Sequence, residues 1–157
     1  MKLDGAALTL TLLADGTRVR TVAVGSSMWP IIRQGDTICI EPVTVGDVKV
    51  GDIVVFKRAK HLVAHRLVRV SSKAAAEELA HSLEGSRDEF LLFTKGDSFT
   101  LVDNPVTAGD LVGRVYAVER KGRTLPLRKG IGWLLNKVAF SLSPLTVFLL
   151  NRRRAQR

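Results

Sequence analysis

Cysteine is almost missing: Cys39 is the only one in 157 residues. No internal disulfide can form, no thiolate cluster can hold a metal, and the redox compartment cannot be read from the composition. Aromatic residues make up only 6% of the chain. Without a row of stacking rings, nucleic acid could be held only by nonspecific phosphate attraction, so no specific nucleic-acid partner is expected. The opening M-K-L-D-G-A-A-L-T-L carries Asp4 and threonines where a secretory signal needs an unbroken apolar run, so no cleaved leader is expected there. Nor does the first part of the chain contain a run long enough to span a bilayer. Histidine occurs three times, as His61, His65 and His81, which keeps the search for a base or a metal ligand short.

What is present is a chain of single-domain length with 46% hydrophobic residues, enough for one core. The formal net charge of +9 sits at one end, because from Val118 onward ten basic residues face Glu119 alone and the rest is close to neutral. A basic excess confined to one end reads as an attachment segment for an anionic surface, beside a near-neutral body. Residues 119–157 are therefore expected to form a basic, apolar membrane-association segment. Within it, Ile131, Leu135, Val138 and Leu142 can share one helical face, but Asn136, Lys137, Ser141, Ser143 and Pro144 interrupt the apolar run. An interfacial helix, a span and a helix packed on the domain all fit.

The body, 1–118, reads as many short strands. Leu8, Leu10 and Leu12 alternate with Thr9 and Thr11, Asp15-Gly16 breaks the run, and Val19, Val22 and Val24 resume it, which predicts a β-hairpin over 7–24. Gly-Asp pairs then punctuate β-rich runs at 37–40, 53–56, 62–70, 89–93 and 111–118. Asp36, Asp47, Asp52 and Asp110 are expected to be turn formers. One helix, with His81 on it, is predicted as an insertion over 73–83, rich in alanine and stopped near Gly85. The fold class expected is mainly β: a compact antiparallel domain with one inserted helix and a C-terminal amphipathic helical segment.

Two serines, Ser26 and Ser27, stand where the second strand stops, just before Met28-Trp29-Pro30. A serine hydroxyl becomes a nucleophile when a base takes its proton and donors stabilise the oxyanion. His65, in V-A-H-R-L-V, would share a strand face with Val63 and Leu67, where a neutral imidazole could serve as base. His61 and His65 also have i, i+4 spacing, but the helical zinc pattern needs Glu where Leu62 stands. In a strand the two lie roughly 13 Å apart, too far to share one ion. No metal or other cofactor is expected.

Five stretches taken in order resemble the boxes of type I signal peptidases: Gly25-Ser26-Ser27-Met28-Trp29-Pro30 with Gly35-Asp36; Val48 to Phe56; Val63-Ala64-His65-Arg66-Leu67-Val68; Phe93-Thr94-Lys95-Gly96-Asp97 with Asp103; and Leu111 to Val115. The histidine box is similar to the Ser/His branch of the endoplasmic reticulum and archaea rather than the Ser/Lys branch. The resemblance implies a signal peptidase/LexA-like fold and a membrane-associated serine endopeptidase that cuts leader-bearing precursor polypeptides after small residues. It further implies Ser27 as nucleophile, His65 as base, and Asp103 or Asp97 as the acid orienting His65. The Ser27 N–H would be an oxyanion donor, with Ser26 the second candidate there, and Met28, Trp29 and Pro30 an apolar rim binding the substrate strand. Residues 128–157 would hold an anionic membrane surface, with the catalytic domain outside the cytoplasm or, alternatively, on its cytoplasmic face. Three departures stand out: Ser-Gly-Ser is replaced by Gly25-Ser26-Ser27, a helical insertion lengthens the path from His65 to Asp97, and the family's N-terminal anchor is missing. A catalytically degenerate peptide-binding or regulatory module on the same scaffold is the alternative reading. Self-cleaving repressors share a Ser-Met turn but use lysine as base and carry a DNA-binding helical domain, for which the first two dozen residues leave no room.

Overall fold

The fold is that of a computed structural model, which describes residues 1–3, 6–72, 90–128, 137, 138 and 141. In chain order the described elements are β1 (Lys2–Leu3), α1 (Ala6–Ala14), β2 (Val19–Val24), β3 (Thr37–Glu41), β4 (Ile53–Arg58), β5 (His61–Ser72), β6 (Phe90–Lys95), β7 (Val106–Thr107), β8 (Leu111–Arg120) and β9 (Arg123–Pro126). All pairings are antiparallel, so the architecture is mainly antiparallel β with one helix.

Six strands close into a ring, β1-β2-β3-β8-β4-β5, because β1 pairs with β2 on one side and with β5 on the other. Register shifts at Cys39/Ile40, Val55/Phe56 and Leu67/Arg69 supply the local bending that closure demands. Inside the ring lie Ala23, Met28, Ile38, Ile40, Ile53, Val55, Leu62, Ala64 and Val115. Alternation puts Val54, Phe56, Val63 and Leu67 on the other face of β4 and β5, where Leu92 and Val106 cover them in a second core. β5 is therefore buried on both faces along most of its first half, which a continuous apolar run anticipates better than a half-exposed alternation does. Along one edge of β5, β1 pairs at Val63 and β6 takes over from Arg66. His65 sits at that junction.

The hairpin expected over 7–24 is not there. Residues Ala6–Ala14 form α1, and only Val19–Val24 is a strand. The period-2 appearance of L-T-L-T-L-L hides a second pattern: Thr9 and Leu13, four apart, are both buried while Leu8 is exposed. Alanine and leucine favour the helix, and packing of Leu13 on the ring core decides the matter. Asp15-Gly16 ends a helix instead of turning a hairpin. The Thr17 N–H donates to Leu12 O and the Gly16 N–H to Leu13 O, with Gly16 at φ +80°, the six-to-one and five-to-two bonds of a glycine C-cap.

The domain boundary at 118 also moves. Glu119 and Arg120 complete β8, Arg123–Pro126 pairs back on it as β9, and Leu127 is buried in the ring core. The body thus reaches at least Leu127, and part of the basic tail belongs to it. The expected helix at 73–83, with His81, and most of 129–157 lie outside the described residues. Among the described residues no helix is long and apolar enough to cross a membrane. Asp36, Asp47, Asp52 and Asp110 do sit at turns: Asp36 accepts the Arg33 N–H, Asp47 the Thr44 N–H, Asp52 the Lys49 N–H and Asp110 the Thr107 hydroxyl.

Candidate active site

β2 delivers Ser27. At its end Gly25 takes φ +100°, a conformation that side-chain-bearing residues rarely adopt, and the chain turns so that Trp29 N–H donates to Ser26 O and Ile32 N–H to Met28 O. The turn is pinned from outside by the segment after β6. Ser98 N–H donates to Ser27 O at 2.9 Å and the Ser98 hydroxyl to Ser26 O. Gly96 packs so closely there that an added Cβ would lie 2.9 Å from Ser27 O and 3.1 Å from Ser27 Cβ.

β5 delivers His65 from the face it shares with Val63 and Leu67. The ring is buried and flanked edge-on by Phe56 and Phe99, each with centroids 6.2 Å away. Its Nε2 stands 3.0 Å from Ser27 Oγ and its Nδ1 2.6 Å from Asp103 Oδ2. An ionised carboxylate only accepts, so Nδ1 carries the proton, and in the neutral ring Nε2 offers its lone pair to the serine hydroxyl. Asp103 is itself held twice by the fully buried Thr94. The Thr94 hydroxyl donates to Oδ2 at 2.7 Å, and the Asp103 N–H donates to Thr94 O at 2.7 Å. Arg58 approaches the other carboxylate oxygen at 3.8 Å. Burial pushes the Asp103 pKa up, but the hydrogen bonds from His65 and Thr94, with the Arg58 charge, outweigh it and hold the carboxyl below its ordinary value.

Of the two acids weighed from sequence, Asp103 meets His65 and Asp97 does not. Asp97 takes a bidentate pair from Arg66: Nε to Oδ1 at 2.7 Å and Nη2 to Oδ2 at 2.5 Å. Both side chains are about 1% exposed. Arg66 also donates to Gly51 O, so the pair ties the turn after β6 to the turn before β4. The three apolar rim candidates separate as well. Met28 is fully buried in the ring core, whereas Trp29 and Pro30 are only half-buried. Met28 fails as a rim residue because the turn aims it inward with Ile31 and Ile32. Ser26 is exposed and contributes a carbonyl to the turn's bonds.

Sequence reasoning missed three participants. Thr94 lies inside a stretch quoted for other residues, and only the pairing of β6 with β5, which sets it directly across from Leu67, brings it to the face that bears His65. Phe99 had no pattern to betray it. The third is the chain's own beginning: the Met1 nitrogen donates to Ser27 Oγ at 2.5 Å and lies 3.2 Å from His65 Nε2. Among the described residues no group of three or more His, Cys, Asp or Glu side chains could hold a metal ion.

The arrangement can move a proton from the Ser27 hydroxyl to His65 while Asp103 keeps the ring oriented. No protein-family model matches the chain, and neither curated proteins nor solved structures gave a match to it.

Proposed function

We propose that this chain is a serine endopeptidase of the signal peptidase type, with a signal peptidase/LexA-like fold, acting on leader-bearing precursor polypeptides. The observation that carries the reading is the unbroken line Ser27 Oγ, His65 Nε2, His65 Nδ1, Asp103 Oδ2, with steps of 3.0 Å and 2.6 Å. It is the geometry of an activated nucleophile with an oriented base, and it is built from three separate parts of the sequence.

Ser27 Oγ attacks the scissile carbonyl carbon as His65 Nε2 takes the hydroxyl proton. Asp103 accepts the Nδ1 proton's hydrogen bond throughout and stabilises the imidazolium. The carbonyl oxygen becomes an oxyanion, for which the Ser27 backbone N–H is the proposed donor. Collapse of the tetrahedral intermediate breaks the peptide bond, and His65 passes its proton to the leaving amine. Water, deprotonated by the same nitrogen, then hydrolyses the acyl-serine. The gap between β2 and β5 is one strand wide and already holds β1, so an extended leader has a strand site leading to Ser27.

Incubation of the purified protein, in detergent or lipid, with a leader-bearing substrate should release the mature product, read by mass spectrometry. Ser27→Ala and His65→Ala should each remove cleavage, on the order of 10⁴-fold or more, while the melting transition persists. Undiminished cleavage by Ser27→Ala refutes the assignment. The proposed attachment to an anionic membrane through residues 128–157, with the catalytic domain outside the cytoplasm, is supported by the charge of that end. A truncation at Arg128 should lose co-sedimentation with anionic vesicles, and equal sedimentation of the two chains would sink that part.

A further inference from the structure

The ring of strands is completed at the catalytic site by the shortest of its six strands. β2 and β5 do not pair with each other, and the two residues of β1 stand between them, Lys2 opposite Val24 on one side and opposite Val63 on the other. The Ala64 N–H donates to Met1 O at 3.2 Å, and the Met1 side chain is buried in the ring core. β1 runs away from Ser27, while β2 and β5 both run toward it. The occupant is therefore oriented opposite to a peptide that would bring a carbonyl to Ser27 along the same slot.

The contact at the reacting atoms is equally specific. His65 has committed its Nδ1 proton to Asp103, so Nε2 has a single lone pair to give. An N–H of Met1 at 3.2 Å and the Ser27 hydroxyl at 3.0 Å compete for it, and the same Met1 nitrogen donates to Ser27 Oγ. A serine oxygen that accepts this bond, facing a base whose lone pair is contested, is a poor nucleophile. Space tells the same way, since a scissile carbonyl would have to stand where the Met1 nitrogen is.

We propose that β1 is an internal stopper of the catalytic site, and that a peptide enters by strand exchange, taking over from residues 1–3 the edges of β2 and β5. The inference rests on the peptidase reading of the site and adds its regulation. Exchange suits the construction. Both edges carry unpaired backbone groups whenever the slot is empty, so an occupant is always favoured. A longer extended peptide can use more of Val19–Val24 and of the first half of β5 than two residues can.

The test uses the full chain carrying Ser27→Ala, so that binding is read without turnover, and a fluorescein-labelled leader peptide of roughly 20 residues that ends beyond a small-residue cleavage site. Lys2→Pro removes the N–H at the position both walls share. Deletion of residues 2–5 removes the strand altogether. Each should bind the peptide about tenfold more tightly in fluorescence anisotropy than the parent. In the parent, hydrogen exchange over residues 1–3 should be slow without peptide and fast at saturation, a reading that stands even where a variant fails to fold. Unchanged or weaker affinity in both folded variants overturns the stopper, as does continued protection of residues 1–3 in the saturated complex, or peptide that binds none of the proteins. Failure of the peptidase reading looks different: peptide binds and displaces β1, yet the chain with Ser27 intact never cleaves it.

Discussion

The sharpest consequence concerns two aspartates six residues apart. Asp97→Ala would leave the Arg66 guanidinium, about 1% exposed, without the carboxylate that receives two of its hydrogen bonds at 2.7 Å and 2.5 Å. Breaking a buried pair by deleting one member costs about 3–5 kcal/mol, because the remaining charge stays out of solvent and loses the carboxylate that balanced it. That is a large share of the roughly 5–15 kcal/mol that holds a typical domain. With a urea slope of about 2 kcal/mol per molar, the unfolding midpoint should fall by roughly 2 M. Asp103→Ala removes a side chain that is 13% exposed and leaves the neutral Thr94 hydroxyl and the His65 Nδ1–H without their acceptor but no buried guanidinium without its carboxylate, so its stability cost should be smaller, about 1–3 kcal/mol. Its cost to activity should be on the order of 10³-fold or more, because the tautomer and orientation of His65 lose their guide. Urea unfolding followed by fluorescence, with leader cleavage measured on the same preparations, separates the two effects. An Asp97→Ala protein that unfolds at the parent's urea concentration would refute the buried-pair argument. An Asp103→Ala protein with full activity would refute the catalytic line. Adding Arg66→Met to Asp97→Ala should return a large part of the lost stability, since the orphaned charge goes with it.

Two further outcomes follow from the same geometry. Thr94→Val keeps the shape of a fully buried side chain but deletes the donor to Asp103 Oδ2. A hydrogen bond to a charged group is worth about 1.5–3 kcal/mol, so kcat should fall roughly 10- to 100-fold with KM little changed, and Thr94→Ser should restore it; a rise in KM with kcat unchanged would contradict a positioning role. Acid should unfold the protein through Asp36, Glu41 and Asp103. Burial raises each of these carboxyls, but Arg120 and the Arg33 N–H at Asp36, Arg114 at Glu41, and His65 and Thr94 at Asp103 outweigh it and set all three below their ordinary values. Their stabilisation is complete above the unfolded values near pH 4 and is lost as pH falls through the lower folded values. Glu41→Gln should cost stability at neutral pH and flatten the acid slope of the thermal midpoint, and an unchanged slope would show that the Arg114 pair contributes nothing to it.

Local patterns carried much of this architecture. The short strands between Gly-Asp turns appear where the β-rich runs stand, and the face of β5 that bears His65 is the one alternation assigns. The choice between Asp97 and Asp103 was legible in principle. Arg66 follows His65 and therefore points to the opposite face, so an acid engaged by Arg66 is withdrawn from the imidazole. What local pattern could not supply is the helix at Ala6–Ala14, where L-T-L-T-L-L satisfies both periods and only the burial of Thr9 and Leu13 chooses. Nor could it supply β1, since two residues have no periodicity and gain their conformation wholly from the two walls they join. The boundary near Val118 failed for a related reason. Charge marks Arg120, Arg123 and Arg128 as surface seeking, yet Arg120 pairs with Asp36 and Arg128 with Glu41, so basic residues here also fasten the ring.

The order of strands around that ring sets when reactivity can appear during synthesis. Ser27 and His65 are carried by β2 and β5, which are joined on one side by the two residues of β1 and on the other through β3, β8 and β4, so the longer arc that holds the alcohol against the imidazole is complete only after residues 111–120 have been made and placed between β3 and β4. Pairings across such sequence distances form late and slowly. Under the proposed peptidase reading, a ribosome-bound fragment lacking β8 carries Ser27, His65 and Asp103 without the closed ring that holds them together, so the nascent polypeptide is spared attack by itself until β8 arrives.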